Sequence, residues 1–419
     1  MDDDASVRHE PSAGREAGLQ TEPAVGQTAP APDPLSAADR SAERTPRAGA
    51  VVVIVVFALL LLWPAALALA GRAGTDGDFI YHSEMRNAFV APPPSSGALA
   101  TGGWERDLER QIADGFPLRR RLIEGYDVAK YLWLGDVASS HVVRGGDGWL
   151  FYGDEERSYL DGSYHPTDAE LERLAGVYQA RADWCARRGI AYVFAFVPNK
   201  STVYTRFLPD SVRVATPTAA ERLLPLIAAR GVRVVDTRRP LLAAAEHGEV
   251  YSKGETHWND AGAYVAYREI VAALRGARVR DTIAPASLRP RIALEDGDLD
   301  RLAGITSAVH DEVVVYDFPR RAHEVAAPGY RGDPIQGAFI RAAFETGDPR
   351  LPKGMLFGDS FTLALRPFLA EDFSRLVVMQ HSIPNALQFD RTAIEAEKPG
   401  VVIQELIERA LVYSDRFQR

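Results

Sequence analysis

Two short segments about a hundred residues apart carry the side chains of acyl-transfer chemistry. The first reads Gly254-Glu255-Thr256-His257-Trp258-Asn259, the second Phe357-Gly358-Asp359-Ser360-Phe361. Together they supply a nucleophile in Ser360, a general base in His257 and an acid, Glu255, to orient that base. Glu255 and His257 are two residues apart, so in an extended or loop segment their side chains share a face. The carboxylate can then hold one imidazole nitrogen while the other turns to the serine. Ser360 follows a run that reads as a buried strand and precedes a helical pattern. A hydroxyl there stands at the sheet edge, beside helix N–H groups able to stabilise an oxyanion. A purely structural reading stays open for each segment. Asp359 or Ser360 can simply cap the helix, and Glu255 with His257 can be a surface pair.

Other candidates are set by position. Asn199 and Lys200 end a strand-like run and could bind an anionic glycan or assist the oxyanion site. Asp236 ends a second run and could equally cap the helix that follows. Trp149, Tyr152, Tyr204 and Trp258 are able to stack on sugar rings or to pack a core. Cys185, the single cysteine, sits in a helical pattern as a small apolar residue, so no intrachain disulfide forms. No Cys/His group has zinc spacing, and neither a P-loop nor a dinucleotide fingerprint occurs, so no metal and no cofactor is expected. A net charge of -9 without a basic, aromatic-laced cluster argues against a nucleic-acid partner.

The elements that must position these residues alternate. Helical periodicity over 104–134 is followed by two short strands around Arg144–Trp149. A helix over 167–188 leads to Ile190–Val197, an apolar run of the kind buried on both faces of a parallel sheet. Helices over 217–230 and 238–247 flank a strand at Val232–Val235, and Asn259 can cap a helix over 260–275. Residues 280–350 read as a less regular insertion with one strand at Glu312–Tyr316. Strands at Gly354–Phe357, Arg375–Met379 and Val401–Glu405 then alternate with helices at 361–372 and 392–397. This is an α/β class with a mostly parallel sheet in three layers, functional residues falling at the carboxyl ends of strands.

Residues 1–47 are polar and Pro/Ala-rich, too poor in large apolar side chains to offset their ordering entropy, and read as a disordered cytoplasmic tail. Residues 48–70 are uncharged and apolar, long enough for one transmembrane helix, which needs about 20 residues. Arg40, Arg44 and Arg47 before it, against Asp76 and Asp78 after it, put the N-terminus inside and the remainder outside. A cleaved signal peptide ending near Ala66-Leu67-Ala68 is the competing reading, and it exports the same portion. Residues 71–103, with Pro92-Pro93-Pro94-Ser95-Ser96-Gly97, read as a linker, and 104–419 as the catalytic domain.

The joint pattern resembles the SGNH-hydrolase-like domain of the alginate O-acetyltransferase family, over roughly residues 80–415. Besides the two segments above, Arg144-Gly145-Gly146-Asp147-Gly148-Trp149-Leu150-Phe151-Tyr152 resembles the family's entry strand. Val197-Pro198-Asn199-Lys200 resembles its Pro-x-Lys loop, and Ile403-Gln404-Glu405-Leu406-Ile407-Glu408-Arg409 its closing strand. The resemblance implies an SGNH-hydrolase-like fold in permuted order, the histidine segment preceding the serine. It implies a periplasmic O-acetyltransferase or acetylesterase in exopolysaccharide or alginate biosynthesis. Its acceptor would be a polysaccharide, its donor a multi-spanning membrane acyltransferase, and its catalytic residues Ser360, His257 and Glu255. The family usually has Asp where this chain has Glu255. Some relatives carry a further carbohydrate-binding domain; the last expected strand lies near the C-terminus, and none is expected here. A non-catalytic glycan-binding scaffold and a general secreted esterase are the competing functions.

Overall fold

The computed structural model describes residues 47–67, 75–327, 329, 339–381 and 389–418. Apart from its last residue, the expected tail 1–47 lies outside the described residues. Arg47–Leu67 is a helix, one residue ahead of the expected span, and its large apolar side chains from Val51 to Phe57 are all exposed, as are Leu59, Leu60, Leu62 and Trp63. Among the described residues no helix is long and apolar enough to cross a membrane. Positions 68–70 of the expected span, and several side chains within the helix, lie outside the described residues.

The following unit begins with elements in the segment expected to be a linker. Gly77–Glu84 and Ser96–Ala100 are helices. The buried carboxylate of Asp114 holds the Arg86 guanidinium through two bonds of 2.7 and 2.6 Å and accepts the Phe89 N–H. A charge-assisted bidentate pair ties this stretch to the domain, which a count of Pro and Gly does not register. The expected helix over 104–134 is two helices, Gly103–Asp114 and Arg119–Ala129, broken around Pro117 and extended by a π turn at Lys130–Leu134.

Strands β1 (Val142–Arg144) and β2 (Leu150–Tyr152) form a small antiparallel pair. The main sheet is built from β3 (Ala191–Val197) and β4 (Val234–Asp236), and later from β7 (His323–Val325), β8 (Phe339–Glu345), β9 (Lys353–Gly358), β10 (Arg375–His381) and β11 (Val401–Ile407). Between these groups, β5 (Arg289–Glu295) and β6 (Asp311–Asp317) make a separate hairpin. The main order is β4-β3-β11-β9-β10-β8-β7, parallel from β4 through β10 and antiparallel at the β8 and β7 edge. β11 is buried along its whole length and β3 over its last six residues; β3 reads as an unbroken apolar run, while β11 also buries Gln404 and Glu405. Helices flank the sheet in two groups. Asp168–Ala186 packs with Ala219–Ala229, each opened by a Thr/Glu capping box. Asp260–Leu274 packs with Arg238–Ala245 and Thr362–Ala370. Parallel order brings the residues after β3, β4, β9 and β11 to one edge of the sheet.

The described part of 280–350 carries more regular structure than its sequence suggests. Besides the hairpin it carries the helix Asp298–Leu302 and two strands that widen the main sheet. β5 is mostly exposed and starts Arg-Pro-Arg, and β7 is three residues long, so neither shows an alternating apolar pattern.

Candidate active site

The histidine segment is a loop closed at its base. Tyr251 and Trp258 form an isolated antiparallel bridge, and Asn259 caps the next helix by accepting the Gly262 N–H at 3.1 Å. The loop curls over Lys200. Its ammonium donates to the carbonyls of Ser252 (3.1 Å), Lys253 (2.8 Å) and Glu255 (2.7 Å). Lys200 is 1% exposed. Burial lowers it from 10.5 to about 8, against the raising charges of Asp298, Glu156, Asp311 and Glu255. The sequence position suggested a lysine that binds an anionic glycan or assists the oxyanion site; the structure directs its three protons at backbone carbonyls, a clamp on the acid-x-His loop.

Ser360, His257 and Glu255 stand in one hydrogen-bonded line. His257 Nε2 is 2.7 Å from Ser360 Oγ, and Nδ1 is 2.5 Å from Glu255 Oε1. An Nδ1–H donating to Glu255 leaves Nε2 to accept the serine proton. The second Glu255 oxygen accepts the backbone N–H of Asp298 at 3.0 Å. Burial raises the Glu255 carboxyl, but the His257 bond and charge outweigh it and hold it at about 2. Burial lowers His257, and Glu255 with Asp298 more than reverse this, so it rises above its ordinary value despite the Arg409 charge.

Asp298 is the participant that sequence reading missed. Its carboxylate accepts the Thr256 N–H at 2.7 Å and the Thr256 hydroxyl, and one oxygen is 3.7 Å from His257 Nδ1. Burial and the facing Glu255 raise its pKa. It opens a short helix 43 positions beyond Glu255. The one local signal is Gly297-Asp298-Leu299-Asp300, an acid-rich helix start.

The serine turn is held from behind. Asp359 accepts the N–H of Phe361 (3.0 Å) and of Ile407 (2.9 Å), and Thr362 donates its hydroxyl to the Asp359 carbonyl. Neither Asp359 nor Ser360 caps the helix that follows: the Asp359 carboxylate braces the turn against β11, and the Ser360 hydroxyl is on the imidazole. The Asp359 N–H donates to Glu405 (3.0 Å), whose carboxyl is pushed well above its ordinary value by burial and by the facing Asp359. A Cβ on Gly358 would strike that carboxyl and the Thr362 methyl, so glycine is required for the close approach.

Asn199 is fully buried after β3. Its N–H donates to Glu408 at 3.0 Å and its Oδ1 accepts the Arg409 N–H at 3.0 Å, while Nδ2 has no partner among the described residues. The Arg409 guanidinium lies 5.4 Å from the Phe361 ring centre. Tyr204 is core rather than a sugar platform: it stacks on Trp149 at 4.1 Å and its hydroxyl accepts the Val250 N–H. Trp258 is 3% exposed, donates Nε1–H to the Phe361 carbonyl at 3.1 Å and meets the Phe361 ring edge-on. Asp236 pairs with Arg238 at the start of the next helix, the capping role considered for it. Cys185 is buried, its thiol pushed up to about 12 by burial.

A cleft of about 360 Å³ opens over Ser360 and His257. Trp258, Leu363 and Val313–Val315 of β6 give it apolar walls, and Glu255, Asp260, Glu295 and Asp311 line it with carboxyl groups. No Lys or Arg is among the described lining residues.

Comparison with known proteins identifies a family. Residues 142–406 match the family described as SGNH hydrolase-like domain, acetyltransferase AlgX. The chain belongs to that family. The match runs from β1 to the penultimate residue of β11 and takes in the histidine and serine segments and the β5–β6 hairpin. The "Probable alginate O-acetylase AlgJ" of Pseudomonas syringae pv. tomato is 27% identical over 183 residues, 42% of this chain and 44% of that protein. That of Pseudomonas aeruginosa is 30% identical over 146 residues, 34% of each. The chain thus spans under half the length of these relatives. Among solved structures, the O-acetyltransferase domain of Pseudomonas putida AlgJ aligns with a TM-score of 0.44 at 23% identity, over 65% of this chain and 92% of that one. Bacillus cereus PatB1 aligns at 0.49 and 16%, over 66% and 98%.

Proposed function

We propose that this AlgX-family protein is a membrane-anchored, extracytoplasmic O-acetyltransferase that modifies a polysaccharide through an acetyl-serine intermediate. The observation that carries the reading is the unbroken line from Ser360 Oγ through both imidazole nitrogens to Glu255, open to a cleft. His257 Nε2 takes the Ser360 proton as Oγ attacks the donor's acetyl carbonyl, and Glu255 stabilises the imidazolium. The tetrahedral intermediate collapses, His257 returns the proton to the leaving group, and acetyl-Ser360 remains. A sugar hydroxyl in the cleft then gives its proton to Nε2 and attacks the ester carbonyl. Collapse frees Ser360 and the acetylated sugar. Water in the second step makes the same site an acetylesterase. Proton transfer of this kind is worth about 10²–10⁴-fold.

The uncharged apolar run of residues 48–70, part of which lies outside the described residues, supports the anchor, and the arginines before it favour a cytoplasmic N-terminus. A single span cannot carry an acetyl group across a bilayer, so the donor is a multi-spanning acyltransferase partner. The names of the AlgJ relatives support a polysaccharide acceptor. The test is incubation of the full chain with a chromogenic acetyl ester and candidate glycans, followed by mass spectrometry of the glycan. Acetylated glycan that disappears with Ser360→Ala supports the reading. Glycan binding with no Ser360-dependent turnover would make the protein a scaffold.

A further inference from the structure

We infer that Asp298 is a positioning residue for His257, a second carboxylate that fixes the long glutamate side chain on the imidazole. Glu255 has one more rotatable bond than aspartate, and an unrestrained carboxylate at its end would sample geometries that leave Nδ1. Asp298 removes that freedom twice. Its backbone N–H holds Oε2 of Glu255 at 3.0 Å, so Oε1 stays on Nδ1. Its side chain grips Thr256, the residue between the acid and the histidine, through both the N–H and the hydroxyl. Two donors directed at that carboxyl favour its charged form against the burial and the facing Glu255 that raise it, and one of its oxygens lies 3.7 Å from Nδ1. The imidazolium formed as Ser360 attacks faces two carboxyl groups that favour its charge, Glu255 in contact and Asp298 behind it. Arg409 opposes them from beyond β11, and the nearby Phe361 and Trp258 rings carry no charge.

The inference rests on the acyl-transfer reading, and the experiment separates the two. In the full chain, kcat and KM for a chromogenic acetyl ester are followed across pH for wild type, Asp298→Asn, Asp298→Glu, Glu255→Gln and the double variant Glu255→Gln/Asp298→Asn. Ser360→Ala serves as the control for the acyl-transfer reading. Asp298→Asn keeps the backbone N–H on Glu255 and removes only charge. It should move the acid limb of kcat/KM down by about one pH unit and cut kcat about tenfold with KM unchanged. Asp298→Glu should bring the limb back toward wild type. Glu255→Gln should keep residual activity that the double variant loses. If the asparagine variant does not fold, Asp298→Ala, which also keeps the N–H, is expected to show the same displaced limb. An acid limb that stays put in every folded Asp298 variant, whether or not the rate falls, overturns the inference and leaves Asp298 a structural residue. Turnover surviving in Ser360→Ala would instead remove the acyl-transfer reading itself.

Discussion

Replacing Lys200 with Met would separate a clamp from a substrate anchor. The methionine fills much of the same buried space and removes three N–H donors, leaving the carbonyls of Ser252, Lys253 and Glu255 without them. Hydrogen bonds from a charged donor are worth about 1.5–3 kcal/mol each. Against this, the substitution relieves a buried charge. A depression from 10.5 to about 8, at about 1.4 kcal/mol per pKa unit, is a penalty of about 3 kcal/mol. The balance is a net loss of about 1.5–6 kcal/mol, which in a domain of this size lowers Tm by roughly 2–8 °C. Freed carbonyls let the loop drift, and a displacement of about 1 Å at a reacting group costs about 10²-fold. The assay is differential scanning calorimetry beside steady-state kinetics with an acetyl ester: kcat should fall by about that factor with KM little changed. The pH dependence has two opposite signs. Lys200 is depressed in the folded state, so between about 8 and 10.5 the unfolded chain binds more protons and the Lys200 contribution to stability rises with pH. Deprotonation also removes one of the three donors, so activity should fall above about pH 8 while that contribution rises. A Lys200→Met protein with normal Tm and kcat but a raised KM for anionic glycans would refute the clamp.

Three further outcomes are expected. Because Glu255 and Asp298 lift His257 above its ordinary value and the neutral imidazole is the active form, kcat/KM should decline on acidification from a pH above 6.5; a limb below 6 by stopped-flow or plate kinetics would contradict the ion-pair geometry. The carboxyl-lined cleft should favour a neutral glycan over a polyuronate at low salt, with Glu295→Gln narrowing the gap and added salt doing the same; a polyuronate preferred at low salt would reverse this. A reporter fused after Arg419 should be active outside the cytoplasm and the chain should resist carbonate extraction, whereas a cytoplasmic reporter would remove both anchor orientation and glycan access.

The parts legible in the sequence were those with local physical causes. β3, β9, β10 and β11 are buried on both faces, so their apolar runs announce them. Thr167, Thr218 and Asn259 cap helices with side chains whose spacing is visible. Ser360 and His257 stood out because a strand-to-helix turn and an acid two residues from a histidine are short-range patterns. Asp298 was not legible, since its contact with Thr256 depends on the path of an intervening insertion. Lys200 was found but its clamp role was not: a strand-end position fixes where a side chain starts, not that a later loop folds over it. Sequence left Tyr204 open between sugar platform and core for the same reason, as its stacking partner Trp149 lies 55 residues earlier on another element.

The central claim is an acetyl group carried by Ser360, and the direct measurement is peptide mass spectrometry after rapid acid quench of the full chain with an acetyl-ester donor. The account predicts one acetyl group on the peptide containing Ser360, forming at the burst rate, discharged by glycan, and absent in Ser360→Ala and His257→Ala. Acetyl accumulating on a different residue, or steady turnover by a folded Ser360→Ala protein, would contradict it.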